Sequence, residues 1–276
     1  MIDIKKLEDI AFHIRKDMLE MCINSKTGHL TSSLSCVDIL VALYYGGIIN
    51  HDPKNPNWDG RDRFILSKGQ ASPALYVLLG NLGYFEEKEL CNFAKYGGMF
   101  GVHLQKTVPG VELTTGSLGH GFNVSVGMAL ALKKDRKLNF VYSILGDGEC
   151  HEGSIWEAAM FASHNNLNNI IAIIDRNYLC ATDFTENCVS IEPLVDRWES
   201  FGWDVTRING NNMEEVMKSL YFMKFRRNLK PKAIIADTIK GNGIEYIHNI
   251  PLWHSRAPSG NDIEKCRKGL CDFYGK

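Results

Sequence analysis

None of the eight cysteines forms a C-x-x-C pair, so the chain lacks the spacing of a zinc site or a disulfide framework. They read as scattered reduced thiols. Long hydrophobic runs are also missing. The longest apolar stretches are strand-length, short of the ~20 residues that a membrane-spanning helix needs. The N-terminal MIDIKKLEDIAFHIRKDMLEM mixes charges at helical spacing and has no unbroken apolar centre of the signal-peptide kind. Nor is one sign of charge in excess. Lys plus Arg number 31 against 32 Asp plus Glu, a net charge of −1, which offers no global basic field for nucleic acid or an anionic membrane. No repeat, low-complexity tract or interdomain linker interrupts the chain. These absences indicate a cytoplasmic protein, and 276 residues at 45% hydrophobic suffice for a large core. The whole of 1–276 is expected to be a single α/β domain, a parallel sheet flanked by helices.

What is present centres on FVYSILGDGECHEGSIWEAAMFASHNNLNNIIAIIDRNYL, residues 140–179. Phe140–Leu145 is an apolar run of β-formers that ends in Gly146-Asp147-Gly148, as a buried strand entering a tight turn would. Ile155, Ala158, Ala159 and Ala162 recur at helical spacing over Glu152–Asn165, and Ile170–Ile174 is a second β-branched run. A strand, a helix and a strand of this length make a right-handed crossover. Both strand ends then lie on one edge of a parallel sheet, where open α/β sheets bind ligands. Asp147 and Asn177 become neighbours there. A carboxylate and an amide oxygen beside a helix start suit a hard divalent cation, and the glycines admit an anionic group. Strand-GDG-helix by itself is also the form of any nucleotide turn.

The remaining segments carry further punctuation. Ile4–Cys22 has the spacing of an amphipathic helix and leads into the small polar loop NSKTGHLTSS, with His29 in it, ahead of a helix over Cys36–Tyr45. A lone loop histidine ordinarily faces solvent. RDRFILSKGQA is a short strand with a glycine turn into a helix near Ser72-Pro73, proline being suited to a first helical turn. Residues 96–110 form a glycine-rich loop containing His103. TTGSLGHG, residues 114–121, then opens a helix over Phe122–Lys134 that is rich in small residues. Pro193–Phe201 and Asn212–Phe225 are expected helices and Trp203–Ile208 and Lys232–Thr238 strands. Cys180–Ser190 is expected to be irregular, RRNLKPK a solvated basic linker, and Asp262–Tyr274 a closing helix. Lys240 follows the last strand, where it either pairs with a phosphate or stands exposed. Trp156 reads as core packing.

The stretch from GDG to the Asn thirty positions later resembles the thiamine diphosphate motif. Gly28-His29 followed by SLS, the DRFILSKG run, TTGSLGHG and the WHSRAP turn at residues 253–258 are similar, in order, to the motifs of transketolases. The resemblance runs from about Ile10 to Pro258 and covers only the first third of a full-length transketolase. It implies that Asp147, Asn177 and the carbonyl of Leu179 bind Mg²⁺, with Ca²⁺ or Mn²⁺ as substitutes. It also implies that Gln70, Gly116, Ser117, Leu118, Gly146, Asp147, Gly148, Glu149, Asn177, Lys240 and His254 hold thiamine diphosphate. His29, His103 and His254 would handle protons on a two-carbon ketol unit, since histidine suits acid-base work near neutral pH. Gln70 departs from the family, which commonly has a histidine there, and an amide donates a hydrogen bond but does not titrate. Glu152 matches a glutamate of the family's acidic channel between active sites, or serves as a helix-dipole partner.

The family's pyrimidine-binding and C-terminal domains have no counterpart in the chain, and the glutamate that activates the cofactor belongs to the former. The resemblance therefore implies a separate C-terminal subunit, two copies of each chain, and a sugar or sugar-phosphate substrate. No nucleic acid and no membrane are expected. The alternatives are a specialised transketolase of modified sugars, another two-chain thiamine diphosphate enzyme (deoxyxylulose-phosphate synthase-like or 2-oxoacid dehydrogenase-like), and a non-catalytic scaffold of the same fold.

Overall fold

A computed structural model describes residues 3–276. Five strands form one all-parallel sheet: β1 (Arg63–Leu66), β2 (Val141–Gly146), β3 (Ile170–Arg176), β4 (Asp204–Asn209) and β5 (Lys232–Asp237), in the order β1-β2-β3-β5-β4. The expected parallel sheet flanked by helices is what the chain forms. Its strands read as nearly continuous Ile, Val and Ala because both faces are covered, which period-2 alternation divides between two cores. Phe64, Leu66, Tyr142, Ile144, Ile171, Ile173, Ile234 and Ala236 point to one core, shared with α1 (Ile4–Ser25), α3 (Val37–Tyr44), α4 (Ser72–Asn81) and α9 (Met213–Phe225). Ile65, Val141, Leu145, Ile170, Ala172, Ile174, Ala233 and Ile235 point to the other, beneath α5 (His120–Lys134), α6 (Gly153–His164) and α8 (Leu194–Ser200). α10 (Asn261–Tyr274) packs back against α1.

The topology explains where helices go. Steps β1 to β2 to β3 run in one direction, so their crossover helices α5 and α6 share a face. The return from β4 to β5 runs the other way and puts α9 on the opposite face. All five carboxyl ends meet on one edge, with Gly146 level with Asp175 and Arg176 level with Asp237.

Several boundaries differ from expectation. The loop after His29 coils at once into α2 (Leu30–Leu34), and a 3₁₀ turn over Gly148–His151 precedes α6. The stretch 180–190 is not wholly irregular: Leu179 bridges Phe184 and α7 (Thr185–Cys188) makes one turn. The basic linker is not fully solvated either, because Lys232 is buried and donates to the Asn168 carbonyl at 2.8 Å. Trp156 sits half-buried against Trp198 and Phe201 and donates to the Cys150 carbonyl, which is a packing role. Glu152 is exposed and makes no side-chain cap of α6. Among the described residues no helix is long and apolar enough to cross a membrane.

Candidate active site

The carboxyl edge gathers the site. Strand β2 delivers Gly146, Asp147 and Gly148; strand β3 delivers Asn177 and Leu179; the loop after β5 delivers Lys240. Together with Ser32, Lys68, Gln70, Leu118, Glu149, Cys180 and His254 they line a cavity of about 170 Å³. Gly148 is closely packed, since a Cβ there would stand 3.1 Å from the Cys180 sulfur.

Asp147 is buried beneath this cavity. Its Oδ1 accepts from the Gly148 N–H at 2.8 Å, and its Oδ2 from the Tyr178 N–H at 2.6 Å and Arg176 Nη1 at 2.9 Å. Burial pushes its carboxyl up to about 6, against the pull of the Arg176 guanidinium. Asn177 Nδ2 donates to Asp175 at 3.1 Å, and its Oδ1 accepts from the Leu179 N–H at 3.1 Å. The Leu179 carbonyl accepts from Lys240 Nζ, at 3.3 Å. Each of the oxygens Asp147 Oδ1, Asn177 Oδ1 and Leu179 O therefore keeps an open lone pair. One anionic and two neutral hard oxygens fit Mg²⁺ or Ca²⁺ and do not fit a soft-metal site. Among the described residues no three His, Cys, Asp or Glu side chains cluster as metal ligands, consistent with a set of mostly neutral oxygens.

Lys240 stands beside that trio. It is 1% exposed, yet its ammonium meets only the Leu179 and Cys180 carbonyls and His254 Nδ1, at 2.9 Å. Among the described residues no carboxylate lies within ion-pair distance of it, and burial pulls its pKa down to about 8. An ammonium placed in this way can take an anion as its counter-charge. Because Lys240 donates to Nδ1 of His254, the imidazole proton sits on Nε2. Burial and then the Lys240 charge hold His254 neutral, down to about 3. His29 is 5.4 Å from His254 and 5.3 Å from His103 between ring centres, and burial pulls it down to about 4. Its Nδ1 is buried with no partner among the described residues. Three imidazoles from well-separated loops thus converge, although His29 and His103 lie outside the cavity lining. Gly116, at φ +148°, passes so close to His103 that a Cβ would fall 3.0 Å from its ring.

Other expected residues have different placements. Gln70 Nε2 donates to the Gly116 carbonyl at 3.0 Å, while its Oε1 is buried with no partner among the described residues. Glu149 accepts from Ser67 Oγ, the Gly119 N–H at 2.9 Å and the Gly146 N–H at 3.1 Å, tying loops of the site together. Ser117 is exposed and outside the cavity lining, and Leu118 is at its rim. Lys240 is not exposed, the other reading its loop position allowed. Sequence reasoning missed Lys68, Asp175 and Arg176. Lys68 is buried, donates to the Ser32 carbonyl at 2.8 Å and pairs with Asp175, which also accepts from Ser35 at 2.7 Å. Burial disfavours the Lys68 charge, but the Asp175 carboxylate outweighs it and raises the pKa above the ordinary lysine range. A charged residue directly before Asn177, at the end of so apolar a strand, is the one signal that marked Asp175 and Arg176.

The family model for the transketolase thiamine diphosphate-binding domain matches residues 8–272. The chain belongs to this family. It is 40% identical over 275 residues to one of the apulose-4-phosphate transketolase subunits of Phocaeicola vulgatus, covering 100% of this chain and 97% of that one. It is 43% identical over 242 residues to the 6-deoxy-6-sulfo-D-fructose transketolase subunit SqwG of a Clostridium species, 87% of each chain. The crystal structure of Campylobacter jejuni transketolase superposes with a TM-score of 0.90 at 31% identity over 98% of this chain. The chain spans only 43% of that enzyme's length. The correspondence is therefore to the N-terminal, thiamine diphosphate-binding half of a split transketolase, which is a transferase.

Proposed function

We propose that this chain supplies the diphosphate-and-magnesium half of a two-chain transketolase that moves a two-carbon ketol unit from a ketose or ketose phosphate to an aldose. The observation that carries the reading is the buried Lys240 ammonium, with no carboxylate within ion-pair distance among the described residues, in the cavity that Asp147, Asn177 and Leu179 also line. Those oxygens would hold Mg²⁺, with Ca²⁺ or Mn²⁺ satisfying the same donors. Lys240 would meet the diphosphate. Gly116 and Leu118 would flank the cofactor ring, while Gln70 and Glu149 fix the loops on which it rests. When bound, thiamine diphosphate supplies the electron sink for carbon–carbon bond cleavage. The imidazoles of His29, His103 and His254 would exchange protons with the hydroxyls of the ketol unit.

The cavity supports a second polypeptide. At about 170 Å³ it is smaller than the roughly 300–1,000 Å³ that encloses a ligand of this size, so it suits the diphosphate end and needs another wall. Tyr178, Phe184, Val189, Ile250 and Leu252 are exposed on the loops that carry the site, an apolar rim suited to docking. A C-terminal partner chain with pyrimidine-binding and C-terminal domains, two copies of each chain, and a cytoplasmic location complete the reading. Gln70, in place of the histidine the family commonly carries, and two relatives named for modified sugars favour a specialised substrate as the second reading.

The test is to assemble the chain with its partner, load thiamine diphosphate and Mg²⁺, and screen ketose donors, pentose phosphates and modified sugars alike, against aldose acceptors. Two-carbon transfer that requires both chains is the expected result. A loaded complex that transfers no two-carbon unit from any donor would remove the catalytic reading and leave the scaffold.

A further inference from the structure

Arg176, the last residue of β3, is among the largest fully buried side chains of the molecule. Every edge of its guanidinium is used. Nη1 donates to Asp147 Oδ2 at 2.9 Å and Thr185 Oγ1 at 2.6 Å, Nη2 to Glu186 at 3.0 Å, and Nε to Glu192 at 3.2 Å. Its flat face lies 4.1 Å from the centre of the Tyr178 ring. The guanidinium is thus anchored from outside by Glu186 and Glu192, on and after α7, and gives Asp147 one bond from Nη1.

The consequence falls on the Asp147 carboxylate. Oδ2, holding both Arg176 and the Tyr178 N–H, has its lone pairs filled. Oδ1 takes a single N–H, from Gly148, and is the oxygen with an open lone pair. A carboxylate bound at both oxygens cannot rotate about its Cβ–Cγ bond without losing three hydrogen bonds. Asn177 is treated likewise: Asp175 holds its Nδ2 and the Leu179 N–H its Oδ1. Asp175 thus fixes Asn177, and Arg176 fixes Asp147.

We propose that Arg176 is a positioning residue of the metal site, locking Asp147 so that Oδ1 is the oxygen offered to the divalent cation. The proposal rests on the reading of Asp147 as a metal ligand. A lysine cannot take the role, since one ammonium lacks the planar fork that reaches Asp147, Thr185, Glu186 and Glu192 together. A buried pair that served the fold alone would move stability and leave metal affinity unchanged.

The test titrates Mn²⁺ into the complex with its partner chain at saturating thiamine diphosphate, following free Mn²⁺ by electron paramagnetic resonance, with urea unfolding alongside. Arg176→Lys is expected to weaken Mn²⁺ binding about tenfold or more, the loss of an oriented charge-assisted bond. Glu192→Gln, which loosens one anchor and leaves Asp147 and Arg176 in place, is expected to weaken it by roughly two- to fivefold at an unchanged urea midpoint. It carries the test alone where Arg176→Lys fails to fold. Affinity within twofold of the parent, or tighter, in the folded variants overturns the proposal. Asp147→Asn separates the failures. If it binds Mn²⁺ as the parent does, the metal-ligand reading falls; if it loses Mn²⁺ while Arg176→Lys keeps it, only the role of Arg176 falls.

Discussion

Two lysines are buried at the same sheet edge, and the chain treats them oppositely. Lys68, in the loop after β1, is fully satisfied within the protein: the Asp175 carboxylate pairs with it, and the Ser32 carbonyl and Ser35 hydroxyl take its remaining protons. Lys240, in the loop after β5, is as deeply buried and has two carbonyls, an imidazole and, among the described residues, no carboxylate. Burial of the Lys240 ammonium outweighs the attraction of the more distant Asp147 and Asp175 and pulls its pKa down to about 8, whereas the directly paired Lys68 rises. The difference separates scaffold from site. The fold supplies the counter-ion of Lys68, and the proposed diphosphate would supply that of Lys240.

The largest effect is expected from Asp147→Ala, which removes the one anionic oxygen of the proposed metal ligands beside Lys240 and should abolish retention of thiamine diphosphate on gel filtration. Normal retention would remove the site assignment. Lys68→Met should cost about 3–5 kcal/mol in urea unfolding, because it strands the buried Asp175 carboxylate. A loss under about 1 kcal/mol would mean that the Lys68–Asp175 pair does not hold the edge together. Lys240→Met should do the reverse. It removes a buried charge with no ion-pair partner among the described residues, so the free protein keeps or gains stability, while cofactor affinity measured by calorimetry drops by roughly ten- to a hundredfold. Equal loss of stability in both lysine variants would erase the distinction.

The smallest effect concerns His29. An unfolded imidazole takes up a proton near pH 6.5, and the folded one refuses it until about pH 4. Its contribution to stability is therefore full above pH 6.5 and is lost as pH falls toward 4. His29→Gln should narrow the gap in urea stability between pH 7 and pH 5, spare cofactor retention and lower turnover. An unchanged gap would show that the histidine titrates normally in the folded protein.

What could be read before folding was local chemistry. Gly146-Asp147-Gly148 and Asn177 flank one crossover unit, so strand and helix periodicity alone place them on a common edge. Lys68 and Asp175 are 107 positions apart, and nothing in either neighbourhood names the other. Arg15 is plainer still. It occupies a helix of mixed charge, but is completely buried and donates to Asp38 at 2.7 and 2.9 Å, to Leu34 O and to Asn242 O, tying α1 to the loop beside Lys240. Gln70 was visible as a departure from the family. Its orientation was not, because that depends on the Gly116 carbonyl, which claims the amide nitrogen.

The most direct measurement is a native mass spectrum of the chain assembled with its partner in buffer containing thiamine diphosphate and Mg²⁺. The expected species contains two copies of each polypeptide and two bound cofactors, held on the proposed function by Lys240 and the Asp147–Asn177–Leu179 oxygens. A fully assembled complex that carries no thiamine diphosphate at saturating concentration would contradict that account.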